Sequence, residues 1–190
     1  MVLENQFVRL ELLELSHLQY LNEYVAERDI WNFTTVEMQT EKDMENYIHI
    51  AIQHYNEKDQ IPFIVFDKQK EKYVGSTRLY EIRPKNKVAK LGYTWYGKDV
   101  QGTKVNKSCK LLLLDYAFDI LDFQRVEFNA DIRNERSIAA MKSVGAKEEG
   151  VLRSHTLLPN GFRRDTIVLS ILKDEWQNDL KIKLEQKIGY

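Results

Sequence analysis

Between Ile61 and Asp131 the spacing of apolar residues changes period twice, and few architectures accommodate the order in which it does so. Ile61 to Phe66, Tyr73 to Ile82 and Val88 to Tyr96 read as strands, joined by the charged turns Asp67 to Lys72 and Arg83 to Lys87. Short polar turns between consecutive strands predict an antiparallel meander. A loop, Gly97 to Thr103, then leads into a helical pattern from Lys104 to about Leu121. Val105, Cys109, Leu112, Leu113, Tyr116, Ala117 and Ile120 fall on its inward face. Arg125 to Asp131 returns to strand period. The strand–helix–strand unit from Val88 to Asp131 has to cross over, right-handed, to a parallel neighbour. A meander with one parallel crossover means a mixed sheet covered by helices, an α/β (α+β) class. It also puts one strand–loop–helix junction, Trp95 to Lys107, where α/β sheets commonly hold ligands.

The flanks extend this frame. Phe7 to Leu13 alternates as a first strand, with Val8, Leu10 and Leu12 on one face. Ser16 with Gln19 predicts a capping box and a short helix to about Ala26, packing Leu18, Leu21 and Val25. Thr40 with Asp43 starts an amphipathic helix whose Met44, Tyr47, Ile48, Ala51, Ile52 and Tyr55 recur at steps of three and four. Asn134 caps a helix that stops at Gly145. Ala146 to Leu158 and Phe162 to Ile171 form a hairpin about Asn160-Gly161. The stretch from Asp174 is expected to be a helix with a loose tail. The predicted order is β-α-α-β-β-β-α-β-α-β-β, about seven strands in a single domain over residues 1–190, with its core at about 7–176.

Charge and cysteine content exclude several function classes. With 28 Lys plus Arg against 29 Asp plus Glu, the formal charge of -1 gives no global field for nucleic acid or an anionic membrane. Cys109 is the single cysteine, so there is no intrachain disulfide, which fits a reducing compartment. No signal-peptide pattern opens the chain, and the longest aliphatic run, Leu111 to Leu114, is far too short to span a bilayer. A cytoplasmic protein without a metal is expected.

The junction Tyr96-Gly97-Lys98-Asp99-Val100-Gln101-Gly102-Thr103-Lys104-Val105-Asn106 suits an anion. A helix N-terminus offers free N–H groups and partial positive charge, and Gly102 lets the backbone approach closely. Lys104, Lys107 and Lys110 stand in the first two helical turns, where the macrodipole prefers acids. A bound polyphosphate would turn that repulsion into attraction. The alternative is a set of solvated lysines beside a turn shaped by Gly97 and Gly102.

Gln101-Gly102-Thr103-Lys104-Val105-Asn106 resembles the acetyl-CoA loop of the GNAT superfamily, Arg/Gln-x-x-Gly-x-Gly/Ala, departing from it at Lys104 and Asn106. Leu91-Gly92-Tyr93-Thr94-Trp95 resembles the end of that family's splayed fourth strand. Asn134-Glu135-Arg136-Ser137, then Met141, then Gly145-Ala146, is similar to the Asn-x-x-Ser…Gly-Ala/Phe motif of RimJ/RimL-like members. Glu149-Gly150-Val151-Leu152-Arg153 resembles the Glu-Gly-x-Leu-Arg/Lys run that follows it. The resemblance covers about Phe7 to Trp176.

It implies direct transfer of an acetyl group from acetyl-CoA, as co-substrate, to an amine. Backbone N–H groups at the end of the strand reaching Trp95 would hold the pantetheine and polarise the thioester carbonyl. Those of Val100, Gln101, Gly102, Thr103, Lys104, Val105 and Asn106 would hold the diphosphate, and Asn134 would bond the pantetheine arm. Ser137, or else water, is the candidate donor to the departing thiolate, because Met141, which cannot donate a proton, lies near the position of the family's usual downstream tyrosine. Ser137 can equally bond within the first helical turn. His155 and Glu127 are candidate bases, each with an ordinary structural role as the alternative; histidine suits the task by its chemistry, and a water chain without a dedicated base is the further alternative that the resemblance leaves open. Trp31, Phe33 and Tyr80 are candidates for lining an acceptor pocket. Arg163, Arg164 and Asp165 read as a solvated hairpin, and Cys109 as core. The implied acceptor is a protein or peptide N-terminus. A small amine, such as a polyamine, amino acid or antibiotic, and a non-catalytic acyl-CoA-binding module are the alternatives. A monomer or homodimer is expected.

Overall fold

The computed structural model describes residues 1–190 as one eight-stranded sheet with helices on both faces. The strands are β1 (Val2–Glu4), β2 (Val8–Leu12), β3 (Ile61–Asp67), β4 (Lys72–Arg83), β5 (Val88–Tyr96), β6 (Arg125–Asp131), β7 (Lys147–Leu157) and β8 (Arg163–Leu172). Their order across the sheet is β1-β2-β3-β4-β5-β6-β8-β7. Every pairing is antiparallel except β5 with β6, the predicted crossover. The strand beyond the expected seven is β1, a three-residue edge strand too short to leave a periodic signal.

The helices are α1 (Leu18–Leu21), α2 (Glu41–Asn56), α3 (Val105–Asp115), α4 (Glu135–Ser143), α5 (Lys173–Glu175) and α6 (Lys181–Ile188). Strand alternation divides the core between the two faces of the sheet. Phe63 and Val65 join a cluster of 30 buried residues with Val105, Leu113 and Trp176, while Ile64 joins a cluster of 12 with Met44, Tyr47, Ile48 and Trp95. No helix is long and apolar enough to cross a membrane.

Three expectations about the helices need correction. Ser16 does not cap the first helix. It lies inside a 3-10 turn, Leu15–His17, and its carbonyl accepts from Gln19, while the Glu14 N–H donates to His17 Nδ1 at 3.0 Å. Ile120 is 71% exposed and Phe118 is buried instead, because α3 runs on into a π-helical turn, Tyr116–Ile120, that rotates the inward face. The C-terminal tail is not loose. Leu184 and Ile188 of α6 are buried in the larger cluster, and Gly189, in the left-handed region, accepts from Gln6. The caps expected at Thr40–Asp43 and Asn134 are present.

The divergence of β5 from β6 positions the site. The two strands share only three register pairs, Val88 with Arg125, Ala89 with Val126 and Lys90 with Glu127, and then part. Against β4, the span from Gly92 to Trp95 takes one residue more than its partner from Arg78 to Ser76, and Tyr93 takes a left-handed φ of 48°. A bulge of this kind bends its strand and raises the local twist, steering the end of β5 away from β6.

Candidate active site

A cleft of ≈ 690 Å³ opens where β5 and β6 separate. It takes lining from both faces of the sheet: from Lys107, Ser137 and Met141 on α3 and α4, and from Trp31, His155 and Arg164 on the other side. Unpaired strand edges inside a protein ordinarily seek hydrogen-bond partners, so a gap of this shape suits an extended polar ligand.

The Val100–Asn106 loop forms one rim. Gly102 has a φ of 78° and nothing within 4 Å of where a Cβ would stand, so the turn needs glycine and its surface stays open. Thr103 Oγ1 donates to the Val100 carbonyl at 2.6 Å and accepts from the Val105 N–H at 3.3 Å. Apart from that bond no side chain caps α3, so the first-turn N–H groups of Asn106 and Lys107 remain available to an anion. Val100, Gln101, Gly102, Thr103 and Asn106 line the cleft. Two neighbours in the expected set do not. Val105 is buried in the core, and the Lys104 ammonium lies over the Phe7 ring, 4.7 Å from its centroid. The helical turn carries Lys104 away from the loop mouth, and it is Lys107 and Lys110 that reach the cleft.

Of the three lysines that the sequence places beside a polyphosphate, Lys110 is the buried one. Its side chain is 5% exposed, its ammonium donates to Asn106 Oδ1 at 2.7 Å, and no carboxylate pairs with it. Burial lowers its pKa to about 8. Arg136, at the start of α4, donates to Gln101 Oε1 and likewise has no carboxylate partner. Three unpaired cations thus stand at this end of the cleft: Lys107, Lys110 and Arg136.

At the crossing point Asn134 Oδ1 accepts from the Ser137 N–H at 3.0 Å. The cap uses the Ser137 backbone, leaving its half-buried hydroxyl on the cleft wall beside buried Met141. Trp95 lines the gap with its strand, while its indole packs at a tilt against Trp31, 4.9 Å between centroids, and donates to the Tyr47 hydroxyl at 3.2 Å. Asn129 Oδ1, on β6, is buried in the cleft lining without a hydrogen-bond partner.

The opposite face carries Trp31, Phe33 and Tyr80, all lining the cleft as expected. Tyr80 packs edge-on against Tyr93 at 5.0 Å, and burial pushes its phenol well above the usual tyrosine range. His155 enters the cleft because β7 bulges between Leu152 and Thr156, with Ser154 at a φ of 54°. Its Nδ1 lies 3.1 Å from Thr166 Oγ1 and 3.2 Å from Thr156 Oγ1. Glu127 does not line the cleft: it sits where β5 and β6 are still paired, and its carboxylate meets Arg125 Nε at 3.0 Å. Arg164, read from sequence as part of a solvated hairpin, instead lines the cleft half-buried. A charged hairpin does not reveal which of its residues faces a cavity until the bulge in β7 is known.

Known proteins resemble this chain over much of its length. An acetyltransferase (GNAT) domain matches residues 8–147. A Bacillus subtilis (strain 168) protein with the provisional name ribosomal N-acetyltransferase YdaF is 33% identical over 105 residues, 55% of this chain and 56% of that protein. The aligned segment thus spans little more than half of that relative's length. Spermidine N(1)-acetyltransferase of Vibrio cholerae serotype O1 is 24% identical over 178 residues, 92% of this chain and 98% of the relative. The crystal structure of a GCN5-related N-acetyltransferase from Brucella melitensis superposes with a TM-score of 0.91 at 26% identity, covering 99% of this chain and 85% of that one.

Proposed function

The chain belongs to the GNAT acetyltransferase family, and from that premise we propose that it is an acyltransferase that moves acetyl from acetyl-CoA directly to a primary amine through the cleft between β5 and β6. The observation that carries this reading is the pairing of an open strand gap with three unpaired cations at one mouth. The diphosphate lies on the Val100–Asn106 backbone and the first turn of α3, facing Lys107, Lys110 and Arg136. The pantetheine runs along the free edge of β5 toward Trp95, with Asn134 beside it.

The chemistry needs a neutral amine, a polarised carbonyl and a protonated leaving group. Backbone N–H groups of β5 polarise the thioester. The amine nitrogen attacks the carbonyl carbon, the C–S bond breaks, and the Ser137 hydroxyl donates a proton to the departing thiolate, regaining it from water. His155 takes the proton lost by the amine: with Nδ1–H donating to the Thr166 hydroxyl, Nε2 is left as acceptor. The name of the YdaF relative, a ribosomal N-acetyltransferase, supports a protein acceptor, and that of the spermidine enzyme supports a small amine.

Calorimetry with CoA and turnover of acetyl-CoA across peptide and small-amine panels test the proposal. Saturable CoA binding and acceptor-dependent CoA release are expected. Ser137→Ala should lower kcat by about 10²-fold, within the usual span of proton-transfer catalysis, with KM for acetyl-CoA little changed. Binding without turnover of any amine would leave a CoA-binding module instead, and absence of CoA affinity would defeat the reading.

A further inference from the structure

The cleft holds an imbalance of charge at its far end that cofactor binding leaves unaccounted for. Of the two carboxylates in its lining, Glu81 is paired with Lys90 at 2.6 Å and Arg83 at 2.9 Å, and Asp131 is gripped through both oxygens by Arg133, at 2.9 and 2.6 Å. Burial would raise the Glu81 pKa, but hydrogen bonds from Lys90 and Arg83 hold it below the usual range; the Arg133 guanidinium does the same for Asp131. Neither has a charge to spare for a cationic ligand.

Arg164 is the opposite case. It stands on the sheet face away from α3 and α4, beyond the end of β6, beside Tyr80 and Tyr93. Its guanidinium makes one hydrogen bond within the protein, from Nε to Thr166 Oγ1 at 3.2 Å, and no ion pair. Desolvation lowers its pKa against the pull of the nearby Asp131 carboxylate, whose two oxygens are already taken by Arg133. A half-buried guanidinium that shares its only nearby carboxylate with another arginine is under-compensated, and a planar fork with its terminal nitrogens unused matches a carboxylate in two-point contact. Arg78 deepens the same positive field. Its buried guanidinium is sandwiched between the Tyr47 and Tyr93 rings, at 4.2 and 4.6 Å, with Nε and one terminal nitrogen unpartnered.

Building on the acyl-transfer reading of this cleft, we propose that the acceptor carries a carboxylate near its amine and that Arg164 binds that carboxylate, setting specificity for anionic amines over polyamines. Asn129 Oδ1, buried and unpartnered, accepts a hydrogen bond from the same ligand's amine. Thr166 bonds both Arg164 and His155, so one hydroxyl positions the carboxylate anchor and the proton acceptor together. The carboxylate has two sources: the α-carboxylate of a free amino acid, or the side chain of an acidic residue next to a peptide N-terminus.

Calorimetric titration of the CoA-loaded protein decides the matter with three sets of probes. These are the free α-amino acids against their carboxamides, C-terminally amidated peptides beginning Ala-Asp against Ala-Asn, and spermidine. In one of the first two sets the acid is expected to bind about tenfold or more tightly than its amide, as charge-assisted two-point contacts do. The set that shows the preference identifies the source of the carboxylate. The preference should vanish in Arg164→Gln and return in part in Arg164→Lys. Equal binding of acid and amide in both sets, no binding by any acid, a preference that survives Arg164→Gln, or spermidine binding tighter than every acid would each overturn the proposal. CoA titration of the same samples separates the failures. Intact CoA affinity without acid preference removes only the carboxylate anchor, whereas loss of CoA affinity takes down the acyl-transfer reading with it.

Discussion

Lys110 holds an ammonium in a site that, without a ligand, offers it only a neutral amide oxygen. Removing such an ion from a low-dielectric position is commonly stabilising, while a bound diphosphate would supply the counter-charge the fold withholds. The unfolded chain keeps this proton up to the ordinary lysine range and the folded chain releases it near 8. The free protein therefore binds fewer protons than the unfolded chain above that value, and this residue's contribution to stability improves as pH rises past about 8. CoA affinity runs the other way and should fall as pH climbs through the same value, since the cation that faces the phosphates is lost. Lys110→Met is accordingly expected to stabilise the free protein at neutral pH by about 1–4 kcal/mol. It should weaken CoA binding roughly ten- to a hundredfold, the scale of a lost charge-assisted contact. Thermal melts with and without CoA, and calorimetry across pH 7 to about 9, check both halves. A destabilised variant with unchanged CoA affinity would make Lys110 a core residue and nothing more. The chain's own order does not distinguish this lysine from Lys104: both lie near the start of one helix, and only the local helical phase sends one to the cleft and the other to the Phe7 ring.

Strand β5 is the element on which the site depends, and its course is fixed by glycine on the neighbouring strand. A Cβ at Gly75 would stand 2.1 Å from the Trp95 carbonyl oxygen and 3.0 Å from the Tyr96 Cα, both backbone atoms that cannot yield without moving the strand. Gly75→Ala is therefore expected to cost about 1–3 kcal/mol through overpacking, read as a lower midpoint in urea with an unchanged slope. It should also weaken CoA binding, because the strand it displaces is the one that parts from β6. Full stability in that variant would show that β5 tolerates another path. The strands and the crossover were legible in the sequence because hydrophobic period records which face of an element is buried. The bulges at Tyr93 and Ser154 were not, because a single left-handed residue in a strand leaves no periodic trace, and these bulges shape the gap and aim His155 into it. The π-helical turn after α3 escaped for the same reason, since one extra residue in a turn shifts every later contact without changing composition.

Across the molecule, the ligand gap passes between two apolar clusters that share one sheet, so each cluster's integrity bears on the other. The larger cluster is closed by the C-terminal segment, where fully buried Trp176 packs near Phe118 and donates to Asp115 Oδ1 at 2.9 Å. The smaller one centres on Trp31 and Trp95, 4.9 Å apart. The chain's three tryptophans therefore report separately on the two sides of the sheet. Adjacent strands supply alternate residues to both clusters, as Phe63, Ile64 and Val65 do on β3, so neither face can lose its packing without disturbing the backbone that carries the other. Residues 1–190 are thus expected to unfold as one cooperative domain. In Trp176→Phe, tryptophan fluorescence, excited selectively over tyrosine, arises only from the smaller face, while far-ultraviolet circular dichroism reports the whole backbone. The two denaturation curves should coincide. If the fluorescence transition came first, the acceptor face would be an independently melting unit, and substrate entry would proceed through local opening of that face rather than into a preformed cleft.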